Sequence, residues 1–256
     1  MIKKRIIPKI LLFPSQNSKK IIAGTSIKYD TERRAGLPES QAQIYQSTIS
    51  DELMILASHK HTFSNSEMIE TLKQINKCIL MPLSFGGNLK QLENVEEIID
   101  LGVEKIIFNR AQFDNPNTIS KVAKKYGSQS VVVSLDFINT DDEEIVAVKV
   151  SGTYKKIPLK VLLSDIENLG AGEICLNNTS RDGTFVGTDL VTLRIARDLT
   201  DLPLIQSCGV GTVNHFVDAF QDGADAVAAG SYFSFLDQNI LQVRSHVSNF
   251  GVNIRY

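Results

Sequence analysis

Asp136 closes the apolar run Val131-Val132-Val133-Ser134-Leu135-Asp136. A carboxylate at the tip of such a run is placed to act as a catalytic acid or base; a helix cap or a loop ion pair would use the same residue. Asp182, in Arg181-Asp182-Gly183-Thr184, is a second polar candidate, suited to binding substrate hydroxyls, although an Asp-Gly turn explains it equally. Glycines cluster after other apolar runs, in Ser84-Phe85-Gly86-Gly87-Asn88, Ser207-Cys208-Gly209-Val210-Gly211-Thr212 and Ala229-Gly230-Ser231, with Asn109-Arg110 after a fourth. Such loops let backbone N–H groups approach an anion. Two of them, one in each half of the chain, suit a ligand with a phosphate at each end. His59 and His61 stand two apart, but with no third ligand in view they read as surface histidines rather than a metal pair. Lys9 is the one titratable side chain within the apolar segment Ile6 to Phe13, and no partner for it is visible.

Eight short apolar runs must position these groups, at 5–12, 52–57, 79–84, 105–109, 131–136, 173–178, 202–207 and 225–229. Most are continuous rather than alternating, the pattern of parallel strands covered on both faces. Amphipathic segments separate them; in one, Leu89, Leu92, Val95, Ile98 and Ile99 recur at helical spacing. Eight such units in 256 residues predict a (β/α)8 TIM barrel occupying residues 1–256 as one domain. The barrel is expected to consist of two duplicated half-barrels, since Pro82 and Gly102 recur as Pro203 and Gly223, both 121 positions later. Two stretches break the pattern: a long polar connection over 13–34 and a strand pair within 137–157 around Ser151-Gly152. Both follow strands, on the face where barrels build their sites.

A net charge of −2 excludes the basic footprint of a nucleic-acid binder. The apolar run near the start is about eight residues long and contains Pro8, too short to span a membrane. It has no cleavage site, so no signal peptide is expected. Three scattered cysteines support neither a disulfide framework nor a zinc site. A reduced, cytoplasmic setting without a cofactor is the resulting expectation.

With KRIIP, DELMIL, PLSFGGNL, GVEKIIFN, GSQSVVVSLD, LGAGEICLNNTSRDGT and GVGT…GADAVAAGS in this order, the chain resembles the cyclase subunit of imidazole glycerol phosphate synthase over essentially its full length. The resemblance implies a barrel with two phosphate sites, paired with a glutaminase whose ammonia crosses the lumen to the strand-end face. There the family uses aspartates on the first and fifth strands. The fifth-strand aspartate matches Asp136, but the first-strand one falls on Leu11, which cannot exchange a proton. A family lysine falls on Ala23 and a second-strand aspartate on Ala57; the third-strand and seventh-strand glycine motifs have become Phe85-Gly86-Gly87-Asn88 and Ser207-Cys208-Gly209.

The opposite face matches throughout. The resemblance implies an ammonia gate of four charged residues at strand starts, here Arg5, Glu52, Lys105 and Glu173. The implied phosphate and substrate contacts are Gly86, Gly87, Asn109, Asp182, Gly183, Ser207, Gly209, Gly230 and Ser231, with Asp136 as the remaining catalytic candidate. The chain therefore looks like a divergent branch of the family that serves acetamidino formation on surface-polysaccharide sugars. A glutaminase would dock at the strand starts and a sugar amidotransferase at the strand ends. Two alternatives remain: a true histidine-pathway cyclase in which a carboxylate such as Asp30 or Glu32 replaces the lost one, and a non-catalytic barrel that binds a phosphorylated ligand.

Overall fold

Among the described residues twelve strands form one sheet, and eight of them are parallel and close on themselves. The computed structural model describes residues 3–15, 20–58, 60–61, 63–87, 89, 91–150, 153–236 and 238–255. In chain order the strands are β1 Arg5–Pro14, β2 Ile21–Ile27, β3 Thr31–Gly36, β4 Leu53–Ala57, β5 Leu83–Gly86, β6 Lys105–Phe108, β7 Val131–Asn139, β8 Ile145–Val150, β9 Thr153–Pro158, β10 Glu173–Asn178, β11 Leu204–Ser207 and β12 Ala226–Ala229. The barrel runs β1-β4-β5-β6-β7-β10-β11-β12, and β12 pairs back on β1 with Arg5 beside Ala226. Helices lie between the barrel strands, which makes this the expected (β/α)8 barrel. No helix among the described residues is long and apolar enough to cross a membrane.

The 121-residue repeat is physical. Leu83–Gly86 and Leu204–Ser207 are both strands, as are Lys105–Phe108 and Ala226–Ala229, so 204 − 83 and 226 − 105 both equal 121. Their flanking hydrogen bonds repeat too. Leu53 N–H donates to Pro82 O at 2.9 Å, and Ile174 N–H donates to Pro203 O at 3.0 Å. Each proline lacks an N–H and so stands just before the ladder, where only its carbonyl is used. The third strand accordingly begins at Leu83, later than the expected 79, and Leu80 is exposed in the turn before it.

The stretch expected to be a polar connection holds instead the antiparallel hairpin β2–β3, paired to the end of β1 with Leu11 opposite Gly24. Ile21, Ala23, Thr25 and Ser26 are buried in it. Its tip turns through Lys28 and Tyr29 at φ 50° and 57°, closed by Asp30 N–H on Ile27 O at 2.9 Å. Tight hairpin turns need positive φ at both central positions and usually carry Asn-Gly or Asp-Gly there. Lys-Tyr carries no such signal, so the sequence pattern missed the turn. The second hairpin, β8–β9, forms where the strand pair is expected; its tip residues Ser151 and Gly152 lie outside the described residues.

The core has two parts. The larger lies between sheet and helices, and the smaller fills the barrel: Ile7, Met54, Ile107, Val132, Cys175, Ile205, Ala226 and Ala228. Side chains alternate along a strand, so on β1 the residues sharing Ile7's inward face are Arg5, Lys9 and Leu11. Read from strand start to strand end, the lumen is charged, then apolar, then polar.

Candidate functional site

The strand-start end is closed by four side chains that each open or immediately precede a strand. Arg5 donates to Glu52 Oε2 at 2.9 Å and to Glu173 Oε2 at 2.8 Å. Lys105 Nζ donates to the same two carboxylates, at 2.8 Å to Glu52 Oε2 and 2.9 Å to Glu173 Oε1. Two cations alternate with two anions, and every adjacent pair touches. Burial pushes the Glu173 carboxyl up, but Arg5 and Lys105 more than offset it and hold it below the usual range. Burial likewise pulls the Arg5 guanidinium down, and Glu173 and Glu52 outweigh that, so its pKa is raised. A buried ion pair is stable only where its remaining polar atoms are met. One is not: Glu52 Oε1 is buried with no partner among the described residues.

At the strand-end mouth, Asp136 stands where β7 leaves β10 and turns to pair with β8, so the strand continues three residues past the expected end. Its Oδ1 accepts Asn177 Nδ2 at 2.6 Å and Ser134 Oγ at 3.4 Å. Asn177 also donates to the Tyr29 hydroxyl and accepts the Cys208 thiol at 3.0 Å. Tyr29 thus reaches from the hairpin tip to the same amide that holds Asp136. Burial, then the nearby Asp136 charge, pushes the Tyr29 hydroxyl's pKa well up, so it remains a phenol.

Asp182 binds the hairpin down. Its Oδ2 accepts Ser26 Oγ at 2.5 Å and Tyr29 N–H at 3.3 Å, and its carbonyl accepts Lys28 N–H at 2.8 Å. Gly183 follows at φ 67°, and a Cβ there would lie 2.3 Å from Ser26 O, so only glycine allows the hairpin so close.

Lys9 has partners after all, and they come from far along the chain. Its Nζ donates to Ser207 Oγ at 3.0 Å and to Cys208 Sγ at 3.8 Å, and stands 4.0 Å from Asp182 Oδ1. Burial pulls its pKa down, yet the acidic groups around it, Cys208, Asp182, Cys175 and Asp136, more than reverse this and raise it. Burial raises the Cys208 pKa and takes Cys175 to about 12, so both are neutral thiols at pH 7. The carboxylates of Asp182 and Asp136 therefore keep Lys9 charged there. Cys208 itself holds φ 76°. That conformation costs a non-glycine residue roughly 1–2 kcal/mol, so the thiol's contacts stand where a glycine would have been free of strain.

Lys9, Leu11, Thr25, Ser26, Asp182, Gly183, Gly209, Gly230 and Ser231 line one small pocket together. Its volume of about 20 Å³ suits a water-sized molecule. Ser231 donates to Thr25 Oγ1 at 3.0 Å across it. Ser207 joins through Lys9. Gly86, Gly87 and Asn109 lie at the ends of β5 and β6 on the same face but outside this pocket. Asp30 and Glu32 do not line this pocket. Asp30 pairs with Lys60 at 2.7 Å in solvent, and Glu32 binds His61 and Arg34. His59 lies outside the described residues, and no cluster of three metal-ligating side chains exists among those described. The sequence pattern did not single out Asn177 or Tyr29, and marked Cys208 only as part of a glycine motif. The signal for Lys9 was present, a lysine at an inward-facing position of a buried strand.

The model of the family described as Histidine biosynthesis protein matches residues 5–239. The chain is 37% identical, over 100% of its length and 99% of the relative's, to a protein provisionally named imidazole glycerol phosphate synthase subunit hisF2 from Prochlorococcus marinus (strain MIT 9313). It is 33% identical, over 92% of each chain, to imidazole glycerol phosphate synthase subunit HisF of Thermotoga sp. (strain RQ2). Against HisF of Chlorobium phaeovibrioides (strain DSM 265 / 1930) the identity is 31% over 100% of each chain.

Proposed function

Since the chain belongs to the HisF family of imidazole glycerol phosphate synthase subunits, we propose that it takes ammonia from a partner glutaminase at the strand-start face and conducts it along the barrel. The ammonia serves amidine formation on a nucleotide sugar in polysaccharide biosynthesis, by an amidotransferase docked at the strand-end mouth. The observation that supports this reading is the first strand's inward series Arg5, Ile7, Lys9, Leu11, which puts a charge at the entry and an apolar side chain at the mouth. Of the mouth's two acids, Asp136 is bound to Asn177, which Tyr29 covers, and Asp182 holds the hairpin through Ser26. The unpartnered Glu52 Oε1 offers incoming ammonia an acceptor at the entry. Val186, two-thirds exposed in the loop after β10, adds apolar surface for a mouth partner. The hisF2 name of the Prochlorococcus relative fits a second, divergent barrel beside an ordinary HisF.

Charge reversals in the entry ring, Arg5→Glu or Glu173→Lys, test the reading in the complex with glutaminase and amidotransferase. Glutamine-driven amidination should fall while amidination driven by ammonium salt holds. An equal fall in both would remove the conduit. The full-length match to HisF supports a second reading, a cyclase of histidine biosynthesis. Loss of one acid–base partner typically removes about 10²–10⁴-fold of rate. Turnover of the bis-phosphorylated family substrate with ammonium salt at about 1 s⁻¹ or faster would establish that reading instead; the conduit reading expects none.

A further inference from the structure

Between the charged entry and Lys9 the inward positions are apolar or a neutral thiol, apart from the buried Ser84 and Ser134 hydroxyls. At Lys9 the lumen ends in a cluster of acceptors: Ser207 Oγ at 3.0 Å, Cys208 Sγ at 3.8 Å and Asp182 Oδ1 at 4.0 Å from Nζ, with Asp136 beyond Asn177. The Lys9 side chain is 6% exposed, and its stem packs against Gly230, whose added Cβ would lie 3.8 Å from Cε. The three N–H donors of this head group are those of a free ammonium ion on a four-carbon tether. The acceptors therefore form a pocket of ammonium size and hydrogen-bonding character, and the protein's own lysine fills it.

We propose that the exit of the lumen is a binding site for ammonium and small primary-amine cations, held shut by the Lys9 ammonium. The site stands on its own geometry; its role as an exit gate rests on the conduit reading above. When the tether is present, a molecule leaving the apolar layer meets a fixed cation. It passes only as Lys9 turns aside toward the mouth pocket. When the tether is cut, the acceptors are left facing a cavity, with two carboxylates lacking their cation.

Lys9→Ala is expected to lose thermal stability and to regain part of it in ammonium or methylammonium chloride, by about 3–6 °C near tenfold saturation. Potassium, of similar size but without N–H donors, and tetramethylammonium should restore nothing beyond their effect on the wild type. Lys9→Met, which fills the space without charge, should show no selective rescue. Equal rescue by potassium, or none by either amine, overturns the site. Should Lys9→Ala fail to fold, 15N NMR of the wild type decides: a slowly exchanging side-chain ammonium signal at neutral pH, absent from Lys9→Met, is expected, and its absence overturns the site. Ring reversals that leave glutamine-driven amidination intact remove the conduit and leave the amine site standing. Selective rescue failing beside intact ring effects removes the site and leaves the conduit.

Discussion

At the strand starts, Arg5 and Lys105 face Glu52 and Glu173 in a closed circuit of contacts between 2.8 and 2.9 Å, and no other charged group is needed. At the strand ends one cation, Lys9, serves two carboxylates and touches neither closely; neutral groups, Ser207, Asn177, Cys208, Ser26 and the Tyr29 hydroxyl, take up the remaining bonds. The first end is balanced by residues of the barrel strands alone. The second depends on a hairpin folded over it. A barrel end built from strands is rigid and resists substitution, whereas an end finished by a loop can change its chemistry by exchanging loop and strand-tip residues. The positions at which the family resemblance implies a change, Leu11, Ala23, Ala57 and Cys208 among them, lie at that second end.

The contrast breaks most severely at Asp182, the point where hairpin and lumen meet. Asp182→Ala removes the acceptor of Ser26 and Tyr29 and the nearest anion of Lys9, leaving a buried charge uncompensated. It is expected to cost about 3–5 kcal/mol in denaturant unfolding and to make the hairpin around Lys28 open to proteolysis. A loss below 1 kcal/mol would show that the latch is incidental.

Acid should separate the ends next. Glu173's folded pKa is depressed below the ordinary 4.5, so its stabilisation is complete above about pH 4.5 and disappears as pH falls through the lower folded value. In Glu173→Gln the protein should be less stable at pH 7, and its stability should decline less steeply as pH falls below about 4.5. Parallel curves for the two proteins would place the ring's acid response elsewhere.

The smallest effect belongs to Tyr29→Phe, which deletes one hydroxyl contact with Asn177. It should cost about 0.5–1.5 kcal/mol and raise the hydrogen exchange of the hairpin tip selectively. A uniform rise across the barrel would mean that the hairpin is not a separable lid.

Continuous apolar runs marked seven of the eight barrel strands within two residues at their starts, because burial on both faces leaves little room for other residues. The third was displaced: Ile79 and Met81 are apolar and buried, but they belong to the turn packing under Pro82 rather than to the ladder. The entry ring was legible through the family resemblance, which matched its four members one by one; their position at strand starts alone did not mark them. The mouth was not. Lys9 meets Ser207 across 198 residues and Asn177 meets Tyr29 across 148, and no local pattern encodes such meetings. The hairpin escaped because its turn lacks glycine and is held by Asp182 rather than by its own propensity.

The eight-residue apolar layer between the two ends has a consequence for protonation. Its side chains offer no strong acceptor, only the Cys175 sulfur among hydrocarbon and one thioether, and the Ser84 and Ser134 hydroxyls beside them already donate to Leu53 O and Asp136. Bringing an ion into such a medium costs many times thermal energy, whereas a small neutral molecule pays far less. Whatever travels along this axis must shed its charge at one rim and recover it at the other. On the proposed conduit the barrel would sort acid from conjugate base, and its throughput would follow the availability of the neutral form rather than the total concentration outside.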